Sequence, residues 1–185
     1  MQYDSLQSGT GDVDLNHHIP YNKYITNKGI MPNHCYNRVD IGINSDNETA
    51  KEQFKQVLEI FESQEPFNRI IPEPNWSLLQ DPTRGEFSKV EEMKSPNGTV
   101  IAETRRWSDG QQDDRWYNWR NDNWGTKWEA YDKEIVDADD DCFQVTFNTA
   151  WAPPEPIADR LKMLFPDLYV QWFYDEPGME IAGYL

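Results

Sequence analysis

Between Trp116 and Asp132 the chain reads WYNWRNDNWGTKWEAYD and holds four of its eight tryptophans, Trp116, Trp119, Trp124 and Trp128. Aromatic faces this dense have three uses: stacking on nucleic-acid bases, anchoring a protein partner, or packing a small core. Base-stacking platforms work inside a basic groove. Here Arg115, Arg120 and Lys127 stand against Asp113, Asp114, Asp122 and Glu129, so stacking is the weakest of the three. With Asp113 or Asp114 at the N-cap of a short helix, Trp116, Trp119 and Arg120 share one side and Gly125 ends it. A strand from Thr126 then sets Thr126, Trp128 and Ala130 on one face. Core packing accounts for Trp116, Trp119 and Trp128, while Trp124, beside the Gly125 break, is expected to line a crevice.

The other groups able to do chemistry are fewer. Asp137, Asp139 and Asp141 spell the start of a calcium loop, with Asp140 between them. Glycine is needed at the sixth loop position and a bidentate glutamate at the twelfth; Cys142 and Asn148 stand there, so a solvated hairpin turn is the better reading. His17 and His18 are adjacent, His34 is alone, and no Cys/His spacing suits zinc. There is no GxSxG elbow and no phosphate loop. No catalytic residue, metal or cofactor is therefore assigned. Two stretches stand out, Thr149 to Pro156 (TAWAPPEP) and Tyr174 to Gly178 (YDEPG). They read first as a helix start and a turn. As a site, the helix N-terminus after Pro153 would receive an anion, with Glu176 facing it and Trp151 beside it.

These residues need elements to hold them. In CYNRVDIGIN, Tyr36, Arg38, Asp40 and Gly42 alternate with Asn37, Val39, Ile41 and Ile43, the period of a strand with one apolar face. Phe54, Val57, Leu58 and Phe61 then recur at helical spacing, with Ser45/Glu48 and Thr49/Glu52 available as capping boxes. From Pro66 to Gly110 prolines and glycines imply a long connection, in which Phe87 to Lys94 and Thr99 to Trp107 pair as a hairpin across SPNG. EAYDKEIVDA and CFQVTFNTA, joined by the acidic turn, are antiparallel strands. A helix starting at the prolines of APPEPIADRLKMLF presents Ile157, Leu161 and Leu164 and stops before Pro166. LYVQWFYDE is a strong strand, and PGMEIAGYL turns back as a short closing one. The order predicts an α+β fold, a ferredoxin-like split βαβ sandwich with an antiparallel sheet, helices on one face and an inserted hairpin region. Residues 1–30 read as an N-terminal arm, and 31–185 as the domain, with the insertion at about 66–113.

The segments MPNHCYNRV, FNRIIPEP, WYNWRNDNWGTKWEAYD, FNTAWAPPEPI and FPDLYVQWFYDEPGMEIAGY resemble, in this order, the YubB-type ferredoxin-like family found on plasmids and in bacteriophages. His34 stands where that family carries an aromatic, and the arm lies outside its pattern. The resemblance implies the fold and a mobile-element setting; it brings no reaction and no catalytic residues.

Charge narrows the partners. Thirty-three acidic against seventeen basic residues leave a net charge of −16, which argues against nucleic acid or an anionic membrane. No stretch reaches the ~20 apolar residues of a membrane span. The start of the chain lacks the pattern of a signal peptide, so the sites Asn47 and Asn97 carry no glycan and a cytoplasmic location in the bacterial host is expected. Cys35 and Cys142, far apart, read as buried thiols of a reducing compartment. Setting and charge together point to an accessory protein that binds and inhibits a host protein. The expected target is a nucleic-acid-binding defence component, met in the manner of an anti-CRISPR or anti-restriction protein. Partial DNA mimicry is geometrically open, because sixteen charges match about 27 Å of duplex at ~1.7 Å per charge. The binding residues on this reading are Trp124, Trp151, Glu176, Asp137, Asp139, Asp140 and Asp141. The alternative is a small-ligand module or enzyme, for a nucleotide or metabolite, with its site near Trp124, Trp151 and Glu176.

Overall fold

The first strand alternates as its sequence does: in β1 (His34–Ile43), Cys35, Asn37, Val39 and Ile41 are buried or nearly so, while Tyr36, Arg38 and Asp40 face the other way. A computed structural model describes residues 33–45, 47–76, 78–79, 81, 83–84, 87–94 and 100–185, with the backbone alone at 87–94 and 100–105. The N-terminal arm, with His17 and His18, and the SPNG turn lie outside the described residues.

After β1 come α1 (Glu48–Glu62), the short α2 (Pro66–Ile70), β2 (Phe87–Lys94), β3 (Val100–Trp107), α3 (Arg115–Trp124), β4 (Tyr131–Ala138), β5 (Cys142–Ala150), α4 (Glu155–Leu164), β6 (Leu168–Glu176) and β7 (Ile181–Tyr184). The main sheet runs β4-β5-β1-β6-β7, every neighbouring pair antiparallel. With β7 set aside, the first strand lies between the third and fourth and the second is at the edge. That is the order of the ferredoxin-like split βαβ sandwich. The insertion holds a separate two-stranded sheet, β2 with β3, as the hairpin pattern predicts.

The helices share one face. Phe54, Val57 and Phe61 of α1, Phe67 and Ile70 of α2, Trp124 of α3 and Ile157 and Leu161 of α4 join one core with Val39, Ile41, Phe143, Val145, Phe147 and Trp172 from the sheet. Aromatic volume fills it: Phe147 packs against Phe61, Phe67 and Trp172 at ring separations of 6.2, 5.8 and 5.6 Å, spacings favourable for edge-to-face and offset rings. Asn37 sits on the same face because its amide is spent. Its Nδ2 donates to Cys35 O and Thr149 Oγ1, and its Oδ1 accepts Trp172 Nε1 at 3.0 Å, so no buried polar atom of the amide is wasted.

Two local readings change. The α1 cap is Asn47, whose Oδ1 accepts Ala50 N–H at 2.8 Å; neither capping box forms, since Asn47 already occupies the position next to the first helical residue. No strand starts at Thr126. The chain from Gly125 to Ala130 is irregular and β4 begins at Tyr131, so Thr126 is buried while Trp128 points outward.

Candidate binding surface

The tryptophan segment divides differently from the sequence expectation. Trp124 is 0% exposed, not in a crevice. Its Nε1 donates to Ile71 O at 2.9 Å and its ring meets Phe67 and Trp119. Gly125 follows at φ 77°, the left-handed turn that ends α3, and a side chain there would meet Pro156 Cδ at 3.0 Å and Pro153 O at 3.2 Å. The Trp124–Gly125 corner is thus closed by the start of α4. The helix N-terminus proposed for an anion has its first donors already spent: Glu155 N–H on Pro153 O at 3.0 Å, Ile157 N–H and Ala158 N–H on Pro154 O at 3.0 and 3.1 Å. Trp116 and Trp119 are half-buried. Arg120 lies over the rings of Trp116 and Trp124, at 5.3 and 4.7 Å from their centres, and pairs with Glu73.

Glu176 is also 0% exposed. Its Oε2 accepts Met179 N–H, closing the Pro177–Glu180 turn, and its Oε1 has no hydrogen-bond partner among the described residues. Trp124, Trp151 and Glu176 therefore do not line one cleft: two are sealed in the interior, and only Trp151 is open.

Trp151 is where the surface becomes unusual. It lies 51% exposed in the left-handed region at φ 75°, a conformation that costs a bulky residue about 1–2 kcal/mol. The surroundings hold it there: its N–H donates to Asn33 O at 2.9 Å, and Thr149 Oγ1 donates to Ala152 O at 2.8 Å across the bend. Buried Thr126 exchanges hydrogen bonds with the backbone of Ala150, at 2.9 and 3.1 Å. That pairing brings the chain after Thr126 up to the end of β5, with Lys127 within reach of Trp151. Lys127 Nζ stands 4.3 Å from the Trp128 ring centre and 5.8 Å from that of Trp151. Trp128, 38% exposed, meets Tyr131 edge to face at 6.2 Å, and Tyr131 meets exposed His34 at 5.6 Å, its hydroxyl sharing a hydrogen bond with Nδ1 and donating to Thr149 O at 3.3 Å. Burial pushes the Tyr131 phenol up to about 12, so it stays neutral. A row of rings from Trp151 to His34 thus follows the end of the sheet where β5 finishes and β1 begins.

The sheet face away from the helices carries further exposed rings, Tyr36, Tyr169 and Tyr184. Arg38 lies over Phe173 at 5.5 Å and pairs with Asp40 at 3.3 Å. None of these was singled out from the sequence, although the even-numbered positions of β1 mark this face.

Asp137, Asp139, Asp140 and Asp141 gather at the other end of the sheet. Cys142 pairs with Gly42 and Ala150 with His34, so the length of β5, about 26 Å at ~3.3 Å per residue, separates the acidic turn from Trp151. The predicted binding residues form two groups on opposite ends, not one site. Cys142 is exposed, contrary to expectation, because it opens β5 at the turn. Its thiol donates to Asp139 Oδ1 at 3.0 Å. That bond, with the neighbouring carboxylates, pushes the thiol up to about 11. Side-chain atoms of Asp139, Asp141 and Cys142 lie within 4.8 Å of one another, all in solvent. Beside them a shallow depression of about 270 Å³ is lined by Asp40, Gly42, Asp137, Gln144 and Tyr169. Asp132 and Glu134 extend the acidic row along β4, the sheet's edge, where charge also blunts pairing with another strand. Cys35 is buried as expected, and burial pushes it up to about 11.

The class defined by these features is a ferredoxin-like α+β sandwich with an open aromatic sheet face. No family model matches the chain, and no curated protein matches it. Among solved structures, protein api92 from Yersinia pseudotuberculosis, described with the DUF1281 family model, is similar at 10% identity and a TM-score of 0.43, over 83% of this chain and 93% of that one. A likeness at that level carries no argument about function. Among the described residues no helix is long and apolar enough to cross a membrane.

Proposed function

We propose that this protein is an acidic binding module that engages a basic surface of another protein. The observation that carries the reading is the pair of exposed indoles, Trp151 and Trp128, with half-buried Tyr131 against Trp128, on a chain of net charge −16. Tryptophan and tyrosine are the residues that most often dominate the binding energy of interfaces, and a large negative charge steers basic partners and repels polyanions. Resemblance to the plasmid- and phage-borne family adds a setting: a mobile-element protein acting in the host cytoplasm, with a nucleic-acid-binding defence protein as its target. Such a target carries the basic groove that an acidic module complements. Asp132, Glu134, Asp137 and Asp139 to Asp141 along the β4 edge supply the charges for partial DNA mimicry.

Affinity capture from bacterial lysate tests this. The expected outcome is a discrete partner retained by the wild type, displaced by duplex DNA, and weakened both by added salt and by Trp128→Ala/Trp151→Ala. Absence of any partner, or retention unchanged in the double variant, overturns the reading. A salt-insensitive complex that survives charge reversal of the β4 edge overturns the mimicry.

A further inference from the structure

We propose that Trp128 and Trp151 form a receptor for a cationic side chain, arginine or lysine, of a basic protein partner, and that Lys127 holds this place in the free protein. The inference deepens the binding reading above and rests on it.

Lys127 Nζ stands over the Trp128 ring at 4.3 Å and within 5.8 Å of the Trp151 centre, inside the ~6 Å range in which an ammonium is held by the negative face of an indole. The two indoles come from different parts of the chain and are joined by the Thr126–Ala150 hydrogen bonds. Trp151 is kept in the left-handed region with half its surface in solvent. A ring needed only for packing has no reason to be held outward in a conformation that disfavours it; strained residues over-determined by their surroundings cluster at ligand clamps. The ligand class follows from what already sits there. A cation is accepted by these rings, and Lys127, part-exposed on irregular backbone, makes no hydrogen bond or ion pair among the described residues, so its flexible stem alone holds it there. The charge of −16 selects the same sign in a partner. An incoming guanidinium, planar and weakly hydrated, stacks on indoles better than an ammonium does, so arginine is the preferred occupant. Displaced Lys127 then returns to water, where it is well hydrated.

A labelled tetra-arginine peptide, titrated by fluorescence anisotropy at physiological ionic strength against a tetra-glutamine control, provides the measurement. Trp151→Ala and Trp128→Ala should each weaken binding by about two- to fivefold, the range of an exposed cation–π contact. Lys127→Ala should tighten it by a similar factor. Removing one positive charge from an acidic protein also tightens binding non-specifically, so the deciding readout is the double-mutant cycle. The gain from Lys127→Ala must vanish in the Trp128→Ala/Trp151→Ala background. A gain that persists there, or peptide binding indifferent to both indoles, overturns the proposal. Both indoles are exposed, so the variants keep the core, and unchanged circular dichroism verifies it. If the lysate partner is retained while the peptide ignores the indoles, this receptor fails and the broader binding reading stands. If neither binds, both fail.

Discussion

Glu129 reaches α2 from the tryptophan segment: its Oε2 accepts Phe67 N–H at 3.0 Å and its Oε1 accepts Asn68 N–H at 2.7 Å. The helix has no cap of its own, since Glu65 makes no capping bond, so a carboxylate 61 residues away satisfies two of its free donors. Glu129→Ala should lower stability by about 1–2 kcal/mol, the range for a lost cap, read as a shift in the urea midpoint at unchanged slope. Burial raises the Glu129 carboxyl above its ordinary 4.5, more than the three backbone N–H groups lower it. The folded carboxyl therefore holds its proton more tightly than the unfolded one. This contribution is full below pH 4.5 and is lost as pH rises through the folded value. Glu129→Gln should flatten that part of the stability profile, and an unchanged profile would refute the assignment.

Arg120 ties α3 to the segment that follows α2. Its guanidinium pairs with Glu73, whose other oxygen takes Trp76 Nε1 at 2.7 Å, and it lies over Trp116 and Trp124. Arg120→Ala should cost about 2 kcal/mol, because it leaves a largely buried carboxylate without its charged donor. Arg120→Lys should recover little of this, since an ammonium cannot lie flat between two rings. Thermal unfolding of the three proteins checks the order; a lysine variant as stable as the wild type would show that charge alone matters.

What the sequence makes legible here is what local periodicity encodes. The alternation from Tyr36 to Ile43, the helical spacing of Phe54 to Phe61, and the prolines before Ile157 each report burial within one element, and each element lies where its pattern places it. The site depends on contacts between elements that no local pattern carries. Trp124 is buried because Phe67 and Ile71 pack against it, and both come from a distant segment. Trp128 is exposed because the chain from Gly125 to Ala130 departs from strand geometry, which breaks the two-residue alternation assumed for it. The acidic turn and Trp151 are set at opposite ends by the β1–β5 register, a quantity invisible until the strands are paired. One signal was readable: Asn37 on an otherwise apolar face announces a buried partner, supplied by Trp172.

Cys142 is exposed, yet its surroundings disfavour the thiolate. The thiol donates to Asp139, and Asp141 and Asp137 disfavour the thiolate, so its value rises to about 11. Since the thiolate is the nucleophile, alkylation by iodoacetamide at pH 8 should be slower than for a free cysteine and should accelerate up to about pH 11. Asp139→Asn should quicken it at pH 8 by removing the carboxylate acceptor. Equal rates in the variant and the wild type would show that the bond does not hold in solution. Cys35, buried, should stay unmodified until the protein unfolds.

Trp151 separates stability from binding. At φ 75° an L-residue carries about 1–2 kcal/mol of backbone strain, which glycine does not. Trp151→Gly relieves it, although the more flexible unfolded chain takes back roughly 0.5–1 kcal/mol. The hydrogen bond from residue 151 N–H to Asn33 O is kept, because it belongs to the backbone, and the indole is half in solvent. The variant should therefore be as stable as the wild type or up to about 1.5 kcal/mol more stable, while losing affinity for a basic partner. Trp151→Ala, which keeps a Cβ in the same strained conformation, should lose the same affinity without the gain. Denaturant unfolding of both variants decides the matter. If Trp151→Gly is no more stable than Trp151→Ala, residue 151 carries no backbone strain to relieve; if both are clearly less stable than the wild type, the indole is held by packing that the protein needs, and the strain has no bearing on binding.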